Sequence, residues 1–439
     1  MRTEDAQPQE GCSFDSRLSS LFKATFDRKA LLQHARETGA VQRLRDIHPA
    51  DLVQALVCSA SGDEYRSIAT ARRVYGQLTR QAPEESSFYE RFNAGFARLM
   101  DDLVRTGLQA CNRKARRAVQ SMLRGTGLID VQAIDATQVL LPASAAEQFP
   151  STSDAHGGVK MTAVLSVLYQ TVDKVSYIDA RTHDRKALRL DRWLHGRLLL
   201  LDRGYYDHGL FAKIEGRQGH FLCPLKTNAV PTIRVIRCGL GQAHVGAILN
   251  DDLPLRGVVD VDVDLKLAAG ACYRCRAIRM PVVKDLRDGT FEFVDIWLVT
   301  NLPPEKFGPE QLASMYRLRW EVELAFRTMK QVGRLDHLRT ANAYVIRAFM
   351  SATLLAVILA QRICAMMREQ RPRSEPSVFR VASIVLTAMR DIASAIGTST
   401  LKNVIAALIQ ALWREGVNPN PGRPYMGPRY AQDVLNAKR

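Results

Sequence analysis

Four consecutive leucines, Leu198 to Leu201, run directly into Asp202 and then Arg203, Gly204 and Tyr205. An apolar run with no polar alternation suits a strand covered on both faces, as in a sheet with helices on either side. An acid straight after such a strand stands at its carboxyl end, where open α/β sheets place their ligand sites. Asp135 has the same relation to the apolar-leaning segment from Leu128 to Ile134, and is read as the end of a neighbouring strand. Gly204 is read as the residue that lets the chain turn sharply after Asp202. A single Asp so placed is most often a turn former or helix cap. Several acids converging on one end of a sheet point to a site instead.

A third acid lies in YRLRWEVELAFRTMK, residues 316–330. At helical spacing, Tyr316, Arg319, Glu323, Arg327 and Lys330 share one side of a single helix, while Leu318, Val322, Ala325, Phe326 and Met329 gather on another and face a core. The plain alternative is a solvated amphipathic helix held by ion pairs three and four residues apart. One carboxylate among an aromatic hydroxyl and three cations instead suits a metal ligand beside a bound phosphate. Carboxylates suit hard cations such as Mg2+, which take oxygen ligands and keep waters for phosphate substrates.

The spacing Tyr316, Arg319, Glu323, Lys330 reads Y-x2-R-x3-E-x6-K, and the segments IDATQV around Asp135 and RLLLLDRGYYD around Asp202 precede it in order. In these three motifs, across about residues 60–365, the chain resembles the DDE transposases of bacterial insertion sequences, specifically the insertion-sequence-four family. The resemblance implies an RNase H-like mixed α/β sheet, interrupted by a β-strand insertion domain and flanked by helical amino- and carboxyl-terminal regions. It implies that Asp135, Asp202 and Glu323 are the catalytic, metal-holding acids and that Tyr316, Arg319 and Lys330 grip phosphates near the cleaved DNA end. The cofactor implied is a pair of Mg2+ ions, with Mn2+ as a substitute; one activates a water or a DNA 3′-hydroxyl and the other stabilises the leaving oxygen. The partners implied are double-stranded DNA, as transposon ends and target, and a second copy of the chain in a synaptic homodimer. The activity implied is cut-and-paste transposition. An RNase H-like nuclease would share the metals without requiring the Tyr316–Lys330 spacing, and a domesticated DNA-binding descendant typically lacks one of the three acids.

Charge agrees with a polyanionic partner: 61 basic against 45 acidic side chains leave +16. The first twenty residues carry no apolar signal segment. The longest charge-free apolar stretch, Ala348 to Gln361, is too short to span a bilayer and reads as a buried helix. A cytoplasmic, non-membrane protein is expected. Eight irregularly spaced cysteines suit reduced thiols, and Cys272 and Cys275 form a CxxC with no second pair to complete a zinc site. His156 and His183 lie between the two aspartates and are given no catalytic role.

Five segments follow. Residues 1–125 read as helical and, by the resemblance, as the binder of transposon ends; Arg72, Arg73, Arg80 and Arg91 suit a helix-turn-helix-like contact or equally an ordinary bundle. Ser86-Ser87 is read as the cap of a helix beginning near Phe88, and Arg113 to Arg117 as a basic run. Residues 126–227 hold the first part of the core, with strands near 128–135, 162–170, 174–180, 197–202 and 219–225 and helices near 185–195 and 206–216. Residues 228–289 alternate short β-branched runs with Gly, Pro and Asp turns and read as the β-strand insertion, which accounts for the long gap between Asp202 and Glu323. Residues 290–335 return to the core with the Glu-bearing helix. Residues 336–439 read as helices at 342–369 and 376–395 followed by a Pro- and Gly-rich tail at 417–429. Twelve basic against five acidic residues from Arg362 onward make that end a further candidate for DNA contact.

Overall fold

A computed structural model describes residues 13–418 apart from 62–65, 153–154, 184–187, 189, 227, 240–243, 250–256, 268–269, 286–290 and 337. Among the described residues six helices come first: α1 (Phe14–Thr25), α2 (Arg28–Glu37), α3 (Pro49–Cys58), α4 (Ile68–Thr79), α5 (Glu85–Tyr89) and α6 (Ala94–Met122). Pro49 at the first turn and the His48 ring, which accepts from the Ala50 N–H at 3.1 Å, start α3 as its sequence suggests. The helix expected from Phe88 begins later. Ser86 and Ser87 lie inside short α5, and the cap is Asn93, whose side chain accepts from the Phe96 N–H at 3.0 Å to open α6. Arg72 bonds to the Pro83 carbonyl and to Glu85, joining α4 to α5, while Arg73 and Arg80 are exposed. The Arg113–Arg117 run lies on α6, its side chains outside those described.

The strands are β1 (Asp130–Leu141), β2 (Gly157–Ser166), β3 (Thr171–Asp179), β4 (Arg197–Leu200), β5 (His220–Pro224), β6 (Thr232–Cys238), β7 (Val259–Lys266), β8 (Cys272–Asp285) and β9 (Phe291–Thr300), with α7 (His208–Glu215) between β4 and β5. They form one mixed sheet in the order β3-β2-β1-β4-β5-β9-β8-β7-β6. β1, β4 and β5 are mutually parallel; every other neighbouring pair is antiparallel. The strands of the 228–289 segment therefore continue the core sheet through β9. The helix expected near 185–195 falls partly on undescribed residues, and its described part carries a 3-10 turn at Arg192–Leu194.

After β9 come α8 (Pro309–Arg317), α9 (Trp320–Arg327), a π-helical turn (Thr328–Val332), α10 (Ala343–Gln370), α11 (Val378–Ala395) and α12 (Leu401–Glu415). From residue 419 the expected tail lies outside the described residues. Strand alternation divides the interior in two. Val131, Ala133, Leu198, Leu200 and Leu222 face a large core shared with the amino-terminal helices and α8 to α12. Leu199, Leu201, Phe221 and Cys223 face a smaller core closed by Leu210, Phe211 and Ile214 of α7. The leucine run is thus covered on both sides, as its lack of alternation predicts. α10 is long and apolar enough to cross a membrane by length and composition, yet most of it is buried inside the molecule, which makes it the central helix of the larger core.

Candidate active site

The register of two parallel strands brings the two aspartates together. Ala133 of β1 pairs with Leu200 of β4. Asp135 and Asp202 each follow two residues later, so both project to the face of the sheet that carries the larger core. Asp135 does not end its strand, as the sequence suggested: β1 runs on to Leu141, paired with β2. What stops is β4, so Asp135 stands where β1 loses its β4 neighbour. The strand order reverses between β1 and β4, and the crevice beyond the carboxyl ends of strands at such a reversal is where open α/β sheets hold ligands.

Asp202 caps the 3-10 turn Arg203–Tyr205, its carboxylate accepting from the Tyr205 N–H at 3.2 Å. Gly204 is not among the residues of positive φ. Its value here is space, because a Cβ at this position would lie 3.1 Å from the nearer Asp202 carboxylate oxygen. The chain does turn here as read, but without using glycine's left-handed freedom.

The segment carrying the third acid is not one regular helix. Through 318–322 the backbone tightens, with Leu318, Arg319, Glu321 and Val322 each bonding three residues back. At the far end it widens into the π-turn, closed by the Gly333 N–H on the Thr328 carbonyl, five residues back, at 3.1 Å. The expected apolar side holds: Leu318, Val322, Ala325, Phe326 and Met329 are all buried. On the polar side the four signature residues part company. Arg319 reaches Glu323 at 2.5 Å and Asp135 at 3.8 Å, standing between two of the acids. Tyr316 lies near Arg319 and Asp202, and burial raises its phenol well above the ordinary range, so it stays a hydrogen-bond donor. Lys330 instead donates to the main-chain carbonyl of Gln138 on β1 at 3.0 Å. Arg327 is exposed.

Electrostatics ties the acids into one group. Burial lifts the Asp135 carboxyl to about 6, and the charges of Asp202 and Glu323 push the same way, against the Ala136 N–H and Arg319. For Arg319 burial lowers the pKa, but Tyr316, Glu323 and Asp135 outweigh it and the guanidinium is held charged more firmly than usual. Among the described residues no three His, Cys, Asp or Glu side chains close on a common point as they stand. Asp135, Asp202 and Glu323 nevertheless offer hard oxygen donors, and a divalent cation among them would relieve the repulsion that the other two exert on Asp135. Cys272 and Cys275, exposed and buried respectively, are free thiols on β8. One network gave no sign in the sequence: buried Glu321, beside Trp320 on α9, accepts from Gln170 at 2.8 Å, and Gln170 accepts from Arg368 of α10 at 2.5 Å. It braces α9 against the β2–β3 turn across gaps of 151 and 198 residues.

Several known proteins are similar to this chain. The transposase of insertion element IS421 from Escherichia coli is 39% identical over 82 residues, 19% of this chain and 22% of that protein. The transposase of IS231F from Bacillus thuringiensis subsp. israelensis is 31% identical over 90 residues, 20% of this chain and 19% of that protein. The chain thus aligns with about a fifth of the length of these relatives. A piggyBac transposase in a synaptic complex with hairpin DNA is similar at TM-score 0.40 and 12% identity, over 92% of this chain and 86% of that one. The profile of the Transposase DDE domain matches residues 126–359, more than half of the chain and the whole stretch from β1 to the middle of α10, and the chain belongs to that family.

Proposed function

We propose that this protein is the transposase of a bacterial insertion sequence of the insertion-sequence-four type, binding its element's ends and carrying out metal-dependent cleavage and strand transfer on DNA. The observation that carries the reading is that Asp135 and Asp202 each stand two residues beyond the Ala133–Leu200 pair at the β1/β4 reversal, with Glu323 joined to Asp135 through Arg319. The order β3-β2-β1-β4-β5, with only β1, β4 and β5 parallel, supports an RNase H-like core.

In this reading Asp135, Asp202 and Glu323 hold two Mg2+ ions, or Mn2+ in their place. When bound, such ions activate the attacking oxygen and stabilise the leaving one. The chain's own part is to bind and orient. Arg319 offers a planar fork that passes from carboxylate to phosphate without changing its mode of bonding. Tyr316 donates from its phenol, and Lys330 supplies a point charge further along β1. Duplex DNA is the substrate, and two copies of the chain bring its ends together. The protein works in solution, in association with DNA.

Asp135→Asn, Asp202→Asn and Glu323→Gln each remove a ligand charge with little change in volume, so each abolishes Mg2+-dependent cleavage while binding of the element's ends persists. Near-normal cleavage by any one of them sinks the assignment. Strand-transfer products with plasmid target separate this reading from a nuclease, which yields cut ends alone.

A further inference from the structure

Arg66 is fully buried, in the connection between α3 and α4. Its guanidinium donates to the Gly333 carbonyl at 2.9 Å and to the Thr353 hydroxyl of α10, and reaches the Leu56 carbonyl of α3 at 3.4 Å. It lies over the Phe349 ring, 4.8 Å from the centroid. The main chain joins in, with the Arg339 N–H bonding to the Arg66 carbonyl at 3.1 Å. Gly333 closes the π-turn and is itself wedged: a Cβ there would come within 2.4 Å of the Thr353 side chain and 2.8 Å of the Met329 carbonyl. The partners of the fork are neutral oxygens, and burial brings the Arg66 pKa down to about 9, so the group is still charged at neutral pH. Burying a cation on carbonyls is a costly way to fill space; a fork that holds two elements at a fixed spacing is a use that an aliphatic side chain cannot supply.

We propose that Arg66 is a positioning residue that fastens α3 to Gly333 and so fixes the π-turn that sets Lys330 beside the candidate site. Lys330 is three residues upstream of Gly333, and its reach to the Gln138 carbonyl depends on where the turn ends. The amino-terminal helices thereby hold one end of the DNA-gripping segment directly, through a contact 267 residues apart in sequence. The functional half of this inference rests on the reading of Lys330 as a phosphate contact.

The test uses the full chain with Arg66→Met, Lys330→Ala and the double variant. Methionine leaves no carbonyl bare, since Gly333 still accepts from Thr353 at 3.1 Å and Leu56 from the Ser59 hydroxyl at 2.7 Å. Two readouts are taken: hydrogen exchange of the amides in 328–335, and binding of a linear duplex drawn from the DNA that flanks the coding sequence. Arg66→Met is expected to speed exchange in 328–335 selectively and to weaken binding about tenfold, with that loss vanishing in the Lys330→Ala background. Unchanged exchange, or an equal loss of binding in both backgrounds, overturns the proposal. If Lys330→Ala binds like the unaltered protein, the phosphate reading of Lys330 fails and takes the functional half with it. If Lys330→Ala weakens binding while Arg66→Met changes neither readout, the clamp alone is wrong.

Discussion

At the scale of single residues, Gly204 and Asp130 show how the chain shapes its carboxylates. A methyl group at 204 would sit 3.1 Å from Asp202, close enough that the carboxylate must shift by a few tenths of an ångström. Gly204→Ala is expected to cut cleavage about tenfold, since an ångström of misplacement costs about a hundredfold, while the unfolding midpoint is unchanged or slightly raised. Full activity would show that Asp202 tolerates displacement. Asp130, at the other end of β1, accepts from the Val131 N–H, Ser166 and Gln132, yet burial raises its pKa from 3.8 to about 6. An acid whose folded pKa lies above its unfolded one favours folding at low pH and loses that contribution as pH climbs through the folded value. The penalty grows between about pH 4 and pH 6 and reaches up to about 3 kcal/mol. The stability of Asp130→Asn relative to the unaltered protein should therefore rise over that window in denaturant titrations; a constant difference refutes it. That Asp135 and Asp202 come to one end of the sheet was legible because each follows an apolar segment in the sequence. The position of Arg319 between acids was not, because a helical wheel gives a shared face and not a partner.

At the scale of elements, the strands were easier to read than the helix that matters most. β9 opens the segment read as the return to the core, and the alternation Val259-Asp260-Val261-Asp262-Val263-Asp264 fixes which face of β7 enters the smaller core. The tightened turn at 318–322 and the π-turn at 328–332 left no trace in the helical spacing; the segment packs there against β1, α10 and α11. The acids of β7 face the side of the sheet away from the smaller core and are matched by arginines of β6 and β8. One of these pairs is buried. Arg276 binds Asp260 through two bonds of 2.8 and 2.6 Å and also donates to the Phe307 carbonyl at 2.7 Å, just ahead of α8. Asp260→Ala strands that guanidinium and is expected to destabilise the protein by about 3–5 kcal/mol, whereas Asp260→Leu with Arg276→Met recovers most of the loss. Denaturant midpoints of the three proteins decide it, and a single variant as stable as the double would show the pair to be dispensable. The pair links β7 and β8 to the approach of α8, so the single variant also loosens the segment that delivers Tyr316.

At the scale of the whole molecule, the sequence boundaries near residues 125 and 336 mark changes of texture rather than gaps in packing. Phe14, Leu56 and Phe96 from the amino-terminal helices share one core with Val131 of the sheet and with Leu354 and Leu412 from the carboxyl-terminal helices. No reading of local pattern predicts that sharing, because it depends on contacts hundreds of residues apart. Net charge needs no such knowledge. The ion pairs on β6 to β8 are neutral one by one, so however many form, the surplus of +16 remains for a partner. A chain that grips duplex phosphates with that surplus releases counterions, and its affinity falls with salt by a slope set by the number of phosphates neutralised. With about 6–10 such contacts the loss between 50 and 200 mM salt is about 10³–10⁵. The term is blind to sequence, so an unrelated duplex of equal length should lose affinity with a comparable slope from a weaker starting point, and recognition of the element's ends appears as the offset between the two lines. A nearly flat plot of log affinity against log salt for both duplexes would remove DNA as the partner for which this charge exists.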